Sequence, residues 1–184
     1  CRARCRTGAT KIMITQHHFA SGMSVGLFGG SFDPPHAGHR LVSLTALKAL
    51  HLDRIWWLVS PQNPLKGHAP QDSASRVAAC QALASHPKIF VSDEESRLGT
   101  QYAIDTVRRL KSANPGVRFI WLMGADNLAG LHKWKFWDEL MNEIPVAIYP
   151  RPGSTLQAGI SPAATRFAPW RKPASSAANF RFAQ

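Results

Sequence analysis

No apolar run in this 184-residue chain approaches the ~20 residues that a membrane-spanning helix needs. Residues 1–22 hold no continuous apolar region of the kind a secretory signal carries. Cysteine is scarce, with three in all. Cys1 and Cys5 have the spacing to pair or to bind metal, yet no further cysteine stands nearby, which argues against a zinc site. Cys80 falls in a helical pattern and reads as a small buried apolar residue. This usage fits a reducing cytoplasm. Acid is missing from both ends. Arg2, Arg4, Arg6 and Lys11 precede residue 23, and Arg151, Arg166, Arg171, Lys172 and Arg181 follow residue 150, with no Asp or Glu among them. The net charge of +11 therefore sits in the ends, because residues 23–150 hold 13 basic and 11 acidic side chains. A basic nucleic-acid-binding module would have to use those ends, which read as solvated tails. No internal repeat is visible.

What is present is alternation. The length suits one domain with a substantial core, and 45% hydrophobic residues is ordinary for a globular protein. Met23–Phe28, Ile55–Val59, Ile89–Ser92, Arg118–Met123 and Val146–Tyr149 read as buried strands. Between them Gly38–Leu50, Ser73–Ser85 and Thr100–Ser112 read as helices, the last with Thr100 as its cap. Shorter helices are expected around Leu128 and over Phe136–Met141. This order predicts an α/β fold, a Rossmann-like doubly wound parallel sheet with helices on both faces. Ligands bind such sheets outside the carboxyl ends of the strands. The Gly29–Phe32 stretch, the Ser60–Lys66 loop, Gly124-Ala125-Asp126 and Arg151-Pro152 all fall on that edge. Beyond Arg151 no element can be placed.

The organising stretch is Gly29–His39, GGSFDPPHAGH. A strand ends, two glycines leave no side chain over its exit, and a helix N-terminus opens with His36 and His39 three residues apart. Bare amides and the positive end of a helix dipole favour an anion there, and the i, i+3 spacing puts both imidazoles on one side. These eleven positions resemble the H-x-G-H signature of the nucleotidyltransferase superfamily, in the long form of the nicotinate-nucleotide adenylyltransferases. The resemblance implies that Gly29, Gly30, Ser31, Phe32, His36 and His39 bind ATP, with His36 and His39 catalytic. The bland alternative is an ordinary surface pair of histidines at a helix start.

Further stretches carry the same resemblance over Met23–Gly153. Pro61-Gln62-Asn63-Pro64-Leu65-Lys66 is similar to a family loop that lies over the substrates, which makes Lys66 a catalytic and nicotinate-nucleotide-binding candidate; a solvated loop lysine is the alternative. Thr100-Gln101-Tyr102 opens a helix whose amides suit a carboxylate. The resemblance gives Thr100 and Tyr102 contacts to the pyridine ring, with a half-buried core aromatic the other reading of Tyr102. Gly124 and Asp126 match a segment lying against adenosine, where Asp126 accepts from a ribose hydroxyl or caps the next helix. Trp134 and Trp137 match a W-x-x-W pattern, Trp134 stacking on pyridine and Trp137 in the core. Arg151 opens an R-P-G turn implied to bind the nicotinate nucleotide. Ile160–Arg166 meets the family's later phosphate-binding segment only at Ile160, Ser161 and Arg166. Pro162 and Ala163 replace its hydroxyl residues, so the match reads as chance.

The expectation is therefore adenylyl transfer from ATP to nicotinate mononucleotide, with Mg2+ accompanying ATP and no dedicated metal ligands. Residues 1–22 are expected to be an extra, disordered segment before a domain of 23–153, and 154–184 a partial, poorly ordered C-terminal region. The partners are the two substrates, with no nucleic acid and no membrane; a homo-oligomer is compatible. Rival readings are another acceptor within the superfamily (nicotinamide mononucleotide or phosphopantetheine), a truncated inactive form, and the basic nucleic-acid-binding module.

Overall fold

The computed structural model describes residues 19–61, 72–150, 153 and 155–179. Five strands, β1 (Ser24–Gly30), β2 (Arg54–Val59), β3 (Ile89–Ser92), β4 (Arg118–Gly124) and β5 (Val146–Tyr149), form one sheet in the order β3-β2-β1-β4-β5. All four pairings are parallel. Alternate residues of each strand feed two cores. Val25 and Leu27 meet Ile104, Val107 and Leu110 of α4 (Ala103–Ala113) on one face. Phe28, Trp57 and Leu122 meet Val42 and Ala46 of α1 (Ala37–Ala49) and Cys80 of α2 (Ser73–Leu83) on the other. Because both faces are covered, the strands read as continuous apolar runs.

From β1 the chain steps outward to β2 and β3, then crosses back to β4 and β5 on the other side. The order reverses between β1 and β4, so the carboxyl ends of those two strands border the crevice where such sheets take ligands. α1 follows β1, and the short α5 (Ala125–Gly130) follows β4 directly. Both open onto that edge.

Several boundaries differ from expectation. Gly29 and Gly30 belong to β1, paired with Leu58 and Val59, and the chain turns instead at Phe32, whose φ is +45°. α4 starts at Ala103, so Thr100 is not its cap. An unforeseen α3 (Glu94–Leu98) stands before it and ends at Gly99 with φ +62°. α6 spans Trp137–Glu143. The tail carries α7 (Thr155–Gly159), α8 (Pro162–Arg166) and two 3-10 turns where no element was placed; Ala158, Ser161 and Ala163 are buried there. At the other end Phe19 packs against Trp56, Phe90 and Phe119, and Gly22 N–H donates to Gly116 O at 2.8 Å. The domain therefore takes in residues before Met23.

Candidate active site

His36 is the N-cap of α1, in extended backbone. Its Nδ1 accepts from Gly38 N–H at 3.2 Å, and His39 Nδ1 accepts from His36 N–H at 3.1 Å. This is a capping box built from two imidazoles instead of Ser and Glu. It brings the ring centroids to 3.9 Å. It also fixes the tautomer: with both Nδ1 atoms accepting, each neutral ring carries its proton on Nε2. The pair thus presents two N–H donors on one side of a helix N-terminus.

Behind the pair stands an aromatic wall. Phe32 is buried, its ring 4.9 Å from that of His39 and stacked on Trp57 at 5.0 Å and 10°. Phe28 lies 5.8 Å from His39. Trp57 Nε1 donates to Ser43 Oγ at 2.8 Å, which anchors the wall to α1. A non-glycine residue at φ +45° is strained, and such strain survives only where the surroundings fix it.

The glycines act differently from the expectation. A Cβ on Gly29 would come within 2.5 Å of Trp121 Cη2, whereas one on Gly30 would meet the Phe32 ring at an ordinary 3.5 Å. The missing side chain of Gly29 makes room for the tryptophan. Ser31 is half-buried, and its carbonyl accepts from Arg76 Nη1 at 2.6 Å.

Around α4 the expected contacts divide. Thr100 is buried; its N–H donates to Glu95 O at 3.0 Å and its hydroxyl shares a 2.7 Å bond with the Thr106 hydroxyl. Both of its donors serve the fold, so a direct bond from Thr100 to the pyridine carboxylate is not what this geometry offers. Tyr102, the N-cap of α4, is half-buried, edge-on to Phe136 at 5.6 Å, with Lys135 Nζ 4.9 Å above its ring. A shallow depression of about 400 Å³ is lined by Gly99, Thr100, Gln101, Tyr102, Asp105 and Arg109 among others. Trp134 is half-buried at the edge of the core. Trp137 packs edge-on against Phe167 at 6.1 Å beneath Arg166.

Gly124 ends β4 and is the N-cap of α5, and Asp126 is exposed in that helix's first turn. His36, His39, Gly124 and Asp126 therefore share the reversal edge of the sheet. Lys66 and Arg151 lie outside the described residues. Ser161 caps α8 by accepting from Ala164 N–H at 3.3 Å, and Arg166 reaches Asp138 of α6 at 3.6 Å, so two of the three residues of the chance match serve the packing of the tail. Among the described residues no group of three or more His, Cys, Asp or Glu is placed to hold a metal ion.

Three buried charged residues, Arg76, Glu94 and Glu95, escaped the sequence reading. Arg76 on α2 is 1% exposed and bonds three carbonyls: Ser31, Ser60 at 2.7 Å and Pro61 at 3.1 Å. The available signal was a cation on the apolar stripe of α2, one turn before Cys80. Glu95 on α3 is pushed up to about 7 by burial, against a hydrogen bond from the Ser60 side chain that pulls it down. Nothing in its local sequence distinguishes it from a surface glutamate.

Comparison with known proteins adds three findings. The cytidylyltransferase-like family model matches residues 27–179. A probable nicotinate-nucleotide adenylyltransferase of Ruegeria pomeroyi is 52% identical over 150 residues, 82% of this chain and 70% of that one. One of Cereibacter sphaeroides is 51% identical over 159 residues, 86% of each. Among solved structures, a Plasmodium falciparum nicotinic acid mononucleotide adenylyltransferase complexed with NaAD superposes with a TM-score of 0.60 at 17% identity, covering 76% of this chain and 80% of that one. At that identity the likeness is one of fold.

Proposed function

The chain belongs to the nicotinate-nucleotide adenylyltransferases of the cytidylyltransferase-like family, and on that premise we propose how its residues carry out adenylyl transfer from ATP to nicotinate mononucleotide. A phosphate oxygen of the mononucleotide attacks the α-phosphorus of ATP in line. One P–O bond forms, the bond to the β-phosphate oxygen breaks, and pyrophosphate leaves with nicotinate adenine dinucleotide as the other product. The attacking phosphate is already ionised at neutral pH, so no general base is needed. The protein's work is positioning and charge stabilisation.

The single observation that carries the reading is the pair of Nδ1-anchored imidazoles at the exit of β1. Their Nε2–H groups are donors for phosphate oxygens, His39 toward the α-phosphate and the departing oxygen, His36 beside it. Because both anchors are backbone amides, the donors are preorganised before ATP arrives, which is the condition under which hydrogen bonds lower a barrier most. Gly124 and Asp126, across the reversal edge, suit the adenosine. The start of α4 beside Tyr102, with Trp134, suits the pyridine ring and its carboxylate. Lys66 and Arg151 are assigned to the nicotinate nucleotide on sequence resemblance. Mg2+ enters as the ion carried by the ATP oxygens, consistent with its preference for phosphate ligands. No helix among the described residues is long and apolar enough to cross a membrane, and scarce cysteine favours a cytoplasmic setting.

Pyrophosphate release from ATP and Mg2+ tests the assignment, measured separately with nicotinate mononucleotide, nicotinamide mononucleotide and phosphopantetheine. The expected result is turnover with the first well above the other two. A clear preference for either of the others would replace the acceptor named here.

A further inference from the structure

We propose that Arg76 is a positioning residue for adenylyl transfer, acting on His39 through the Ser31–Phe32 peptide and the Phe32 ring. The identity of the reaction rests on the reading above; the geometry does not. Burying a guanidinium carries a large desolvation cost, and an apolar side chain would fill the inner face of α2 without it. Here the guanidinium bonds the carbonyls that leave β1 and β2: Ser31 at 2.6 Å, Ser60 at 2.7 Å and Pro61 at 3.1 Å. Its donors form a rigid planar fork, so three such bonds set the orientation of the peptides as well as their distance.

The Ser31–Phe32 peptide is the one that matters for the chemistry. A trans peptide points its C=O and N–H to opposite sides. Aiming Ser31 C=O at α2 therefore aims Phe32 N–H the other way and sets the chain direction into Phe32. That residue holds φ +45°, a conformation that strains an L side chain. Its relaxation is opposed by the Arg76 bond on its N-terminal side and by the packing of its ring on Trp57 and Phe28. The same ring lies 4.9 Å from His39. Releasing Ser31 O removes the backbone restraint, lets Phe32 move toward negative φ, and withdraws the wall against which the His39 imidazole sits. The residues that suit adenosine and pyridine are untouched by that movement.

Arg76→Ala and Arg76→Lys in the full chain test this. Lysine keeps the charge and loses the fork. For each, kcat and KM with ATP and nicotinate mononucleotide are measured, along with the 1H–15N spectrum of the histidine ring nitrogens without substrate. The expected result is a kcat lower by about 10- to 100-fold in Arg76→Ala, the loss that accompanies a misplacement of about 1 Å. KM changes far less, Arg76→Lys falls between, and the His39 nitrogens depart from the pattern of a bare Nδ1 acceptor and a protonated Nε2. If Arg76→Ala does not fold, Arg76→Lys carries the test alone. A folded variant with wild-type kcat, or one whose kcat falls while the His39 nitrogens stay unchanged, overturns the proposal. If the wild-type chain transfers no adenylyl group, the functional reading fails separately and the spectra alone decide the role of Arg76.

Discussion

Gly29 shows how a residue singled out by its sequence context can carry a packing duty that the context does not announce. Its place ahead of the histidines suggested open backbone for a phosphate; the structure adds that the space a side chain would take is filled by the buried Trp121 ring. Gly29→Ala should destabilise the fold by about 1–3 kcal/mol, the usual range for overpacking a filled core. Gly30→Ala, which meets only ordinary contact, should stay within about 0.5 kcal/mol; urea denaturation of the two variants decides. Glu95 gives the matching electrostatic prediction. Its carboxyl is pushed up to about 7 by burial, against about 4.3 in an unfolded chain. Between those values the native state holds more protons than the unfolded one, so stability is fullest below about 4.3 and falls as pH rises through 7. The loss is on the order of 3 kcal/mol. Glu95→Gln should flatten that pH dependence in thermal melts across the same window, and an unchanged profile would show that Glu95 is not its source.

At the scale of the element, α1 combines two duties in one residue. His36 closes the helix by accepting from Gly38 N–H and is also half of the proposed phosphate-binding pair. His36→Asn separates them, because asparagine is among the best N-caps but lacks the Nε2 donor. The melting temperature should stay near wild type while pyrophosphate release falls severalfold or more; an equal loss of both would mean that the cap is the whole of its role. Elements were legible in the sequence where burial was two-sided. β2 was placed to within one residue because Ile55–Val59 are buried throughout, and a strand covered on both faces is a plain apolar run. The start of α4 was not, since Thr100 has the chemistry of a cap yet uses its hydroxyl on Thr106. α3 was missed because Asp93-Glu94-Glu95 reads as exposed, although Glu94 and Glu95 are both buried. The tail helices are five residues each, too short to show a period.

For the whole molecule, the doubly wound sheet follows from the alternation of elements, and its reversal between β1 and β4 explains why motifs nearly ninety residues apart in sequence, at His36 and Gly124, face one edge. Chemistry carried by residue type at a fixed spacing, as in the two histidines, was visible in the sequence. Chemistry carried by what a side chain reaches in space was not: Arg76 joins the exits of two strands, and no linear pattern announces which carbonyls it will meet. The same limit applies to Phe19, which is outside the motif-bearing region and still completes an aromatic cluster under β2, β3 and β4.

These levels meet in the claim that backbone amides hold two imidazoles by Nδ1 so that their Nε2 protons stabilise charge on the ATP phosphates. Steady-state pyrophosphate release by His39→Ala, with folding checked by circular dichroism, tests it most directly. Turnover should fall by about 10²- to 10³-fold, the cost of one preorganised charge-stabilising donor. A folded His39→Ala enzyme that turns over at the wild-type rate would contradict it.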